Sequence, residues 1–416
     1  MKKYRTISLY ILFAFTAFLM TKIYQVESRL NTLRADAIEV ANVKYGLFNV
    51  DEWKTILADI ITEKINDFEI DADNRQNIES RISTLLTTVI DQFEESYYQK
   101  NASSISGFFQ GSIASLTGVF SRMKEDIPMF SEEIVNFINK EGNRDSIREY
   151  ILLKLDEYTQ STFAEFDYTY RDNILVKYGI SDANNASNVI GGLITQEQSS
   201  VSIFKNGILL IWIICLAFLF LIRRVQRAEV YALLGISSIF LFAGIFIPMI
   251  EIDARINSLS FELLSTNIEF TNQVLFYKSK SIIDVVSIML FQKRLDLILV
   301  GFGIFAFSIF FPLLKLMSTA YYIENKEIRS TKFVSFFVFR SGKWSMADVM
   351  VIAIFMAYIG FSGILTEQLT QLENLSPSLD IISTNESNLR TGFYLFSGYV
   401  LLSLMISQKT KYSENL

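Results

Sequence analysis

The sequence lacks histidine altogether and has one cysteine, Cys215, in 416 residues. A disulfide within the chain, a thiolate zinc site and a Cys/His or Ser/His/Asp hydrolytic centre are excluded. Proline is nearly as scarce, at 4, so long Pro-rich linkers are ruled out. Charged residues make up 20% of the chain, below the roughly 25% of a soluble domain. There is no G-x-x-x-x-G-K-S/T loop and no G-x-G-x-x-G after a strand, which argues against a self-contained ATPase or dinucleotide enzyme. A net charge of −6 gives no sign of nucleic-acid binding. Asp71 and Asp73 start a calcium-loop pattern that fails where Gln76 replaces glycine and Ile82 replaces glutamate. The expectation is a chain that is not an enzyme, with no cofactor, no metal and no nucleic-acid partner.

What is present is apolar surface. Half the residues are hydrophobic and 14% are aromatic, more than one soluble core needs. The charges are also uneven. Between Gln25 and Phe204 there are 16 Lys+Arg against 29 Asp+Glu, a net of −13, and the remainder carries 22 against 15, a net of +7. Together they give the −6 of the whole chain. An acidic block is thus held between apolar segments, and a basic membrane portion follows it.

A spanning helix needs about 20 mostly apolar residues. Six stretches approach this: Thr6 to Thr21, Asn206 to Ile222, Val230 to Ile250, Leu297 to Leu314, Val349 to Thr366 and Thr391 to Gln408. The first lacks a small-x-small cleavage site before Lys22 and reads as an uncleaved anchor. Basic residues in short loops set orientation. With the N-terminus inside, the inner pieces carry 13 Lys+Arg and the two short outer loops carry 6. Both termini are therefore expected in the cytoplasm, with 25–204 outside, which in a bacterial inner membrane means the periplasm. The expected units are an anchor at 1–24, an acidic helical domain at 25–204, a second span and basic turn at 205–227, a four-helix membrane module at 228–410 and a tail at 411–416. The fold class is an all-α polytopic membrane protein of six transmembrane helices, with a helical periplasmic bundle and small β-hairpin elements.

Three- and four-residue apolar spacing predicts amphipathic helices over Asp51 to Phe68, Arg75 to Phe93 and Asp145 to Asp167. Asn101 to Ser121 is uncharged and carries Phe108, Phe109 and Phe120. It is either a helix buried in the bundle or an apolar surface offered to lipid or a partner. In the outer loop, Ile252 to Leu259 and Asn267 to Tyr277 read as a hairpin. Ser279 to Met289 reads as a short interfacial helix. A further strand is expected near Leu379, Ile381 and Ile382.

The polar residues within spans carry the functional signal. Lys315 follows Pro312 and stands nine residues before the next charge, Glu324, about 13 Å along a helix. An intramembrane lysine is a functional candidate, and snorkelling to the headgroups is its plain alternative. Pro312 frees a backbone carbonyl one turn earlier. Ser345-x-x-Asp348 has capping-box spacing. Asp348 either caps the fifth span or pairs with Lys315. Pro248 reads as a kink at the outer end of the third span. Ser308, Ser318, Thr319, Ser397 and Ser403 either line a polar path or act as helix–helix glue.

Phe310-Phe311-Pro312-Leu313-Leu314-Lys315-Leu316 resembles the P-L-L-K-L end of a span in the paraquat-inducible protein A family. Gly342-Lys343-Trp344-Ser345-Met346-Ala347-Asp348-Val349 resembles that family's G-K/R-W-S-M-x-D-V motif, in the same order and at the same distance. The resemblance extends over Val230 to Ser407, one four-helix module. It implies an inner-membrane protein that handles phospholipid beside periplasmic proteins with mammalian-cell-entry (MCE) domains, whose tunnels carry lipid. It also implies a polar intramembrane network at Lys315. The chain departs from the family in having one module, no Cys-x-x-Cys ribbon and an added block at 25–204. The expected function is loading or moving phospholipid between the inner membrane and an MCE-type tunnel. A non-transporting scaffold of an envelope complex is the alternative.

Overall fold

The structure is a computed structural model that describes residues 2–46, 49–66, 75–101, 110–138, 146–160, 167–181, 183–222, 225–263, 266–324, 331–340, 353 and 380–412. It opens with α1, Lys2–Val40. No glycine or proline interrupts this stretch, so the apolar run continues as one helix into an amphipathic second half, about 58 Å in all. The partner of α1 is α7, Ala183–Leu221, also 39 residues long. Leu19 lies against Gly207 and Arg29 reaches Glu197 at 3.7 Å. The residue numbers rise in one helix as they fall in the other, which is the register of an antiparallel pair. Both helices run unbroken through 24/25 and 204/205.

Between them lie α2, Val50–Asn66, α3, Arg75–Asn101, α4, Gln110–Ile138, α5, Ile147–Gln160, and α6, Thr169–Tyr178. The predicted amphipathic segments fall on α2, α3 and α5. Their apolar faces close on one core of Trp53, Ile61, Ile82, Leu86, Ile134 and Ile151, all nearly fully buried. Of the predicted partner surface, Phe108 and Phe109 lie outside the described residues. Phe120 falls on α4, in a stretch whose side chains are not described.

The module then begins with α8, Arg227–Phe246. A capping box starts it: the Glu229 carboxylate accepts from the Gln226 backbone N–H at 2.9 Å. Two strands follow, β1, Ile250–Leu263, and β2, Thr266–Lys280. A third, β3, Asp380–Leu389, pairs antiparallel on the other side of β1, giving the order β2-β1-β3. The hairpin and the further strand were both expected, but not their size. Strands of 14 and 15 residues extend about 48 Å. The reason is packing at the far end. Ile256, Leu259, Ile268 and Phe270 enter the core of α2 to α5, and the Phe270 ring sits 5.2 Å from Trp53. The sheet therefore runs from the ends of the long apolar helices into the bundle of α2 to α5.

After the sheet come α9, Ile282–Leu290, α10, Leu295–Phe305, a π turn at Ala306–Phe310, α11, Phe311–Glu324, α12, Lys332–Ser335, a second π turn at Phe336–Arg340, and α13, Thr391–Tyr412. The Ser281 hydroxyl caps α9 by accepting from the Asp284 N–H at 3.2 Å. Among the described residues, four helices are long and apolar enough to cross a membrane: Lys3–Val40, Asn185–Leu221, Arg227–Phe246 and Leu295–Glu324. Six were expected. The fifth stretch, Val349 to Thr366, lies outside the described residues apart from Ala353. The sixth is helical as α13 but is not among the four. Ser397, Gly398, Ser403 and Ser407 dilute its apolar run, and it is shielded by its neighbours, with Phe396, Tyr399, Leu402 and Ile406 buried. The lipid-facing helices show the opposite pattern, with Ile11, Phe18, Leu210, Leu299 and Phe302 exposed, as a bilayer requires.

Candidate functional site

Lys315 is 3% exposed in α11. Its Nζ donates to Ser403 Oγ on α13 at 3.3 Å. Ser403 Oγ donates in turn to the Val400 carbonyl at 3.0 Å. One turn on, Thr319 Oγ1 donates to the Lys315 carbonyl at 2.7 Å. Tyr399 OH donates to the Pro312 carbonyl at 3.3 Å. Lys315 is therefore turned inward between two helices. Its amine bonds a hydroxyl of the neighbouring helix. Pro312 stands two residues after the π turn Ala306–Phe310, where the wider helical turn eases the fit of the proline ring against the preceding turn.

Thus the structure brings together Lys315, Thr319 and Pro312 with Ser403 and Tyr399. Ser318 is half-buried beside them and takes no part in these bonds. Asp348 and Ser345 lie outside the described residues. Pro248 belongs elsewhere. The α8 helix ends at Phe246 and Ile247 is extended, the conformation a residue before proline prefers. Pro248 thus terminates the span, and its carbonyl accepts from the Gly392 N–H at 3.0 Å. A Cβ at position 392 would lie 2.2 Å from the Ile247 carbonyl oxygen, so this close approach requires glycine.

A second polar cluster lies at the rim nearest the sheet, where α1, α7, the sheet and the start of α13 meet. Glu27 on α1 accepts from Arg390 Nη2 at 2.8 Å and from Thr391 Oγ1 at 2.6 Å. Arg390 Nη1 lies 3.1 Å from Glu251 on β1. Glu251 also pairs with Arg34 of α1 and accepts from Tyr277 OH at 3.0 Å. Glu27 and Arg34 stand seven residues apart, hence on one face of α1. Burial pushes the Glu251 carboxyl above the usual carboxylate range, although Arg34 and the Tyr277 hydroxyl pull it down. Burial likewise pushes the Tyr277 hydroxyl up, and the neighbouring Glu251 adds to it. This chain of alternating charges surrounds a cavity of about 460 Å³, also lined by Lys205, Asp253, Arg255 and Asn272. Sequence reasoning missed the cluster because these charges served only as borders of the spans. The available signal was that Glu251 and Arg390 touch the ends of two apolar runs.

At the opposite end of the long helices, Arg5 of α1 grips Glu229 of α8 through Nε at 3.0 Å and Nη2 at 2.7 Å. Glu229 is fully buried. Tyr231 OH donates to Glu324 at 2.6 Å, joining α8 to the end of α11.

A bundle of long apolar helices, charged at both rims and holding a buried lysine, is a polytopic membrane protein. Residues 271–370 match the family model described as Paraquat-inducible protein A. Both resembling runs, Phe310 to Leu316 and Gly342 to Val349, fall inside the match. No curated protein and no solved structure matches the chain.

Proposed function

We propose that this protein is an inner-membrane component of a lipid transport system, loading or moving phospholipid between the membrane and an MCE-type periplasmic tunnel. The observation that carries the reading is Lys315, a cation kept within an apolar bundle and aimed at Ser403 on another helix. A central charge costs about 2.5–3.5 kcal/mol on insertion scales, and leucines fill the neighbouring positions 313, 314 and 316. A compact ammonium suits either a lipid phosphate or a proton-linked step. The match to that family over 271–370 supports a membrane role. The tall sheet supports a route outward, since it runs from the membrane rim into the outer bundle.

The test is phospholipid flux in proteoliposomes containing the MCE-domain partner. Lys315→Ala is expected to fold, hold its partner and lose flux. Lys315→Arg separates the two roles: charge is kept for a phosphate, but arginine does not release a proton. Full flux in Lys315→Ala at equal reconstitution would overturn the reading. It would favour the scaffold alternative, which the long antiparallel α1–α7 pair also suits.

A further inference from the structure

Among the described residues, one cation at the rim nearest the sheet makes no direct ion pair with a carboxylate. The cavity there is lined by Arg34, Lys205, Arg255 and Arg390 against Glu27, Glu251 and Asp253, four cations to three carboxylates. Arg34, Arg390 and Arg255 are each engaged in ion pairs with these carboxylates. Among the described residues, Lys205 makes no ion pair within 4 Å: its charge acts on Glu27 at longer range, and its ammonium lies over the Tyr394 ring at 5.2 Å. The cavity lining therefore carries one more cation than carboxylate, and Lys205 is the cation not directly paired.

Lys205 also lines a second space. Adjoining the polar cavity is an apolar crevice of about 80 Å³ between α7, α8 and α13, walled by Ile208, Leu209, Phe240 and Leu395. Lys205 and Thr391 border both spaces. Trp212 closes the floor, with Nε1 donating to the Gly398 carbonyl at 3.2 Å. A Cβ at Gly398 would press on Phe240 and Trp212 at 3.1–3.2 Å, so the helices approach closely there and the crevice ends. The Ser397 hydroxyl oxygen is buried on this lining without a hydrogen-bond partner among the described residues. An unmet hydroxyl inside an apolar crevice is costly unless something bonds it. In the sequence, Lys205 is the last residue before the apolar run from Asn206, which is headgroup depth.

We propose that Lys205 marks a binding site for one membrane phospholipid. The phosphodiester sits in the polar cavity against the ammonium, the upper methylenes of one acyl chain lie in the crevice, and Ser397 bonds an ester oxygen. The rest of the chain stays in the bilayer. The proposal takes phospholipid as cargo from the reading above, but places it on α7 and α13, away from Lys315.

The experiment is native mass spectrometry of the full chain in mild detergent, titrated with phosphatidylglycerol. The wild type is expected to hold one lipid tightly. Lys205→Glu should weaken that binding at least tenfold, Lys205→Arg should keep it, and Ser397→Leu, which fills the crevice, should weaken it. If Lys205→Glu does not fold, Lys205→Met replaces it, with the same expected direction. Equal binding by wild type and both charge-removing variants overturns the proposal. So does equal competition by deacylated glycerophosphoglycerol, because the site would then take a free phosphate without a chain. The readout is binding alone. Loss of flux in Lys315→Ala with this lipid still bound leaves the Lys205 site standing, and retained flux in that variant sinks the transport reading without touching it.

Discussion

Arg390, the residue ahead of α13, donates to Glu27 of α1 at 2.8 Å, joining the first and last described helices at the rim nearest the sheet. Both side chains are almost fully buried, and Arg390 reaches on to Glu251. Breaking a buried pair leaves a charge without its partner, which costs about 3–5 kcal/mol. Arg390→Ala is therefore expected to lower the midpoint of thermal unfolding in detergent markedly. Adding Glu27→Gln to it should recover part of the loss, because the orphaned charge is then gone. A double variant as unstable as the sum of the two singles would show that the groups do not act as a unit.

The outer bundle and the membrane module are predicted to be coupled through the sheet. Phe270 of β2 is 7% exposed in the core of α2 to α5. Phe270→Ala should destabilise that bundle by about 3–5 kcal/mol, although the residue belongs to the module in sequence. Hydrogen exchange should locate the loosening in α2 and α5. Loss of protection confined to β1 and β2 would show that the bundle stands without the sheet.

The helices were legible because their apolar spacing is local. Lys315 was legible for a related reason: one charge inside a run of leucines stands out. Its partner was not, since Ser403 lies 88 residues away and hydroxyls are common in spans. The rim cluster was obscured by the same rule that located the spans. Glu251 and Arg390 marked where apolar runs stop, and nothing local tells a border charge in water from one buried against three other elements. The length of the sheet escaped for a different reason. Alternation is clear over Ile252 to Ile256, but the outer strand halves are fixed by packing on α2 to α5, a contact between distant segments.

The described residues suggest a topology test with little background. Cys215, the lone cysteine, is fully buried in α7 and should not react with an impermeant maleimide. Asn188, on the outer half of α7, and Thr331, before α12, are both exposed. Asn188→Cys should be labelled in intact cells whose outer layer admits the reagent. Thr331→Cys should be labelled only after the inner membrane is opened. The reverse pattern would invert the whole arrangement and place the rim cluster on the cytoplasmic side.

Acid sensitivity in the outer bundle is expected at Asp51. Its carboxylate accepts from Tyr168 OH at 2.7 Å and pairs with Lys54 Nζ at 2.6 Å, which ties the start of α2 to the segment entering α6. Burial alone would raise its pKa, but these hydrogen bonds and the lysine charge outweigh it, so the carboxyl titrates below its ordinary 3.8. A depressed carboxylate contributes stability that is fully present above the unfolded value and is lost as pH falls through the folded one. Protection of the amides around Tyr168 should therefore hold at pH 5 and decline below about pH 3.8. Asp51→Asn should flatten that decline, because the group no longer titrates. Tyr168→Phe should leave a weaker one, since Lys54 remains. An unchanged acid profile in Asp51→Asn would assign the acid sensitivity to other carboxylates of the bundle.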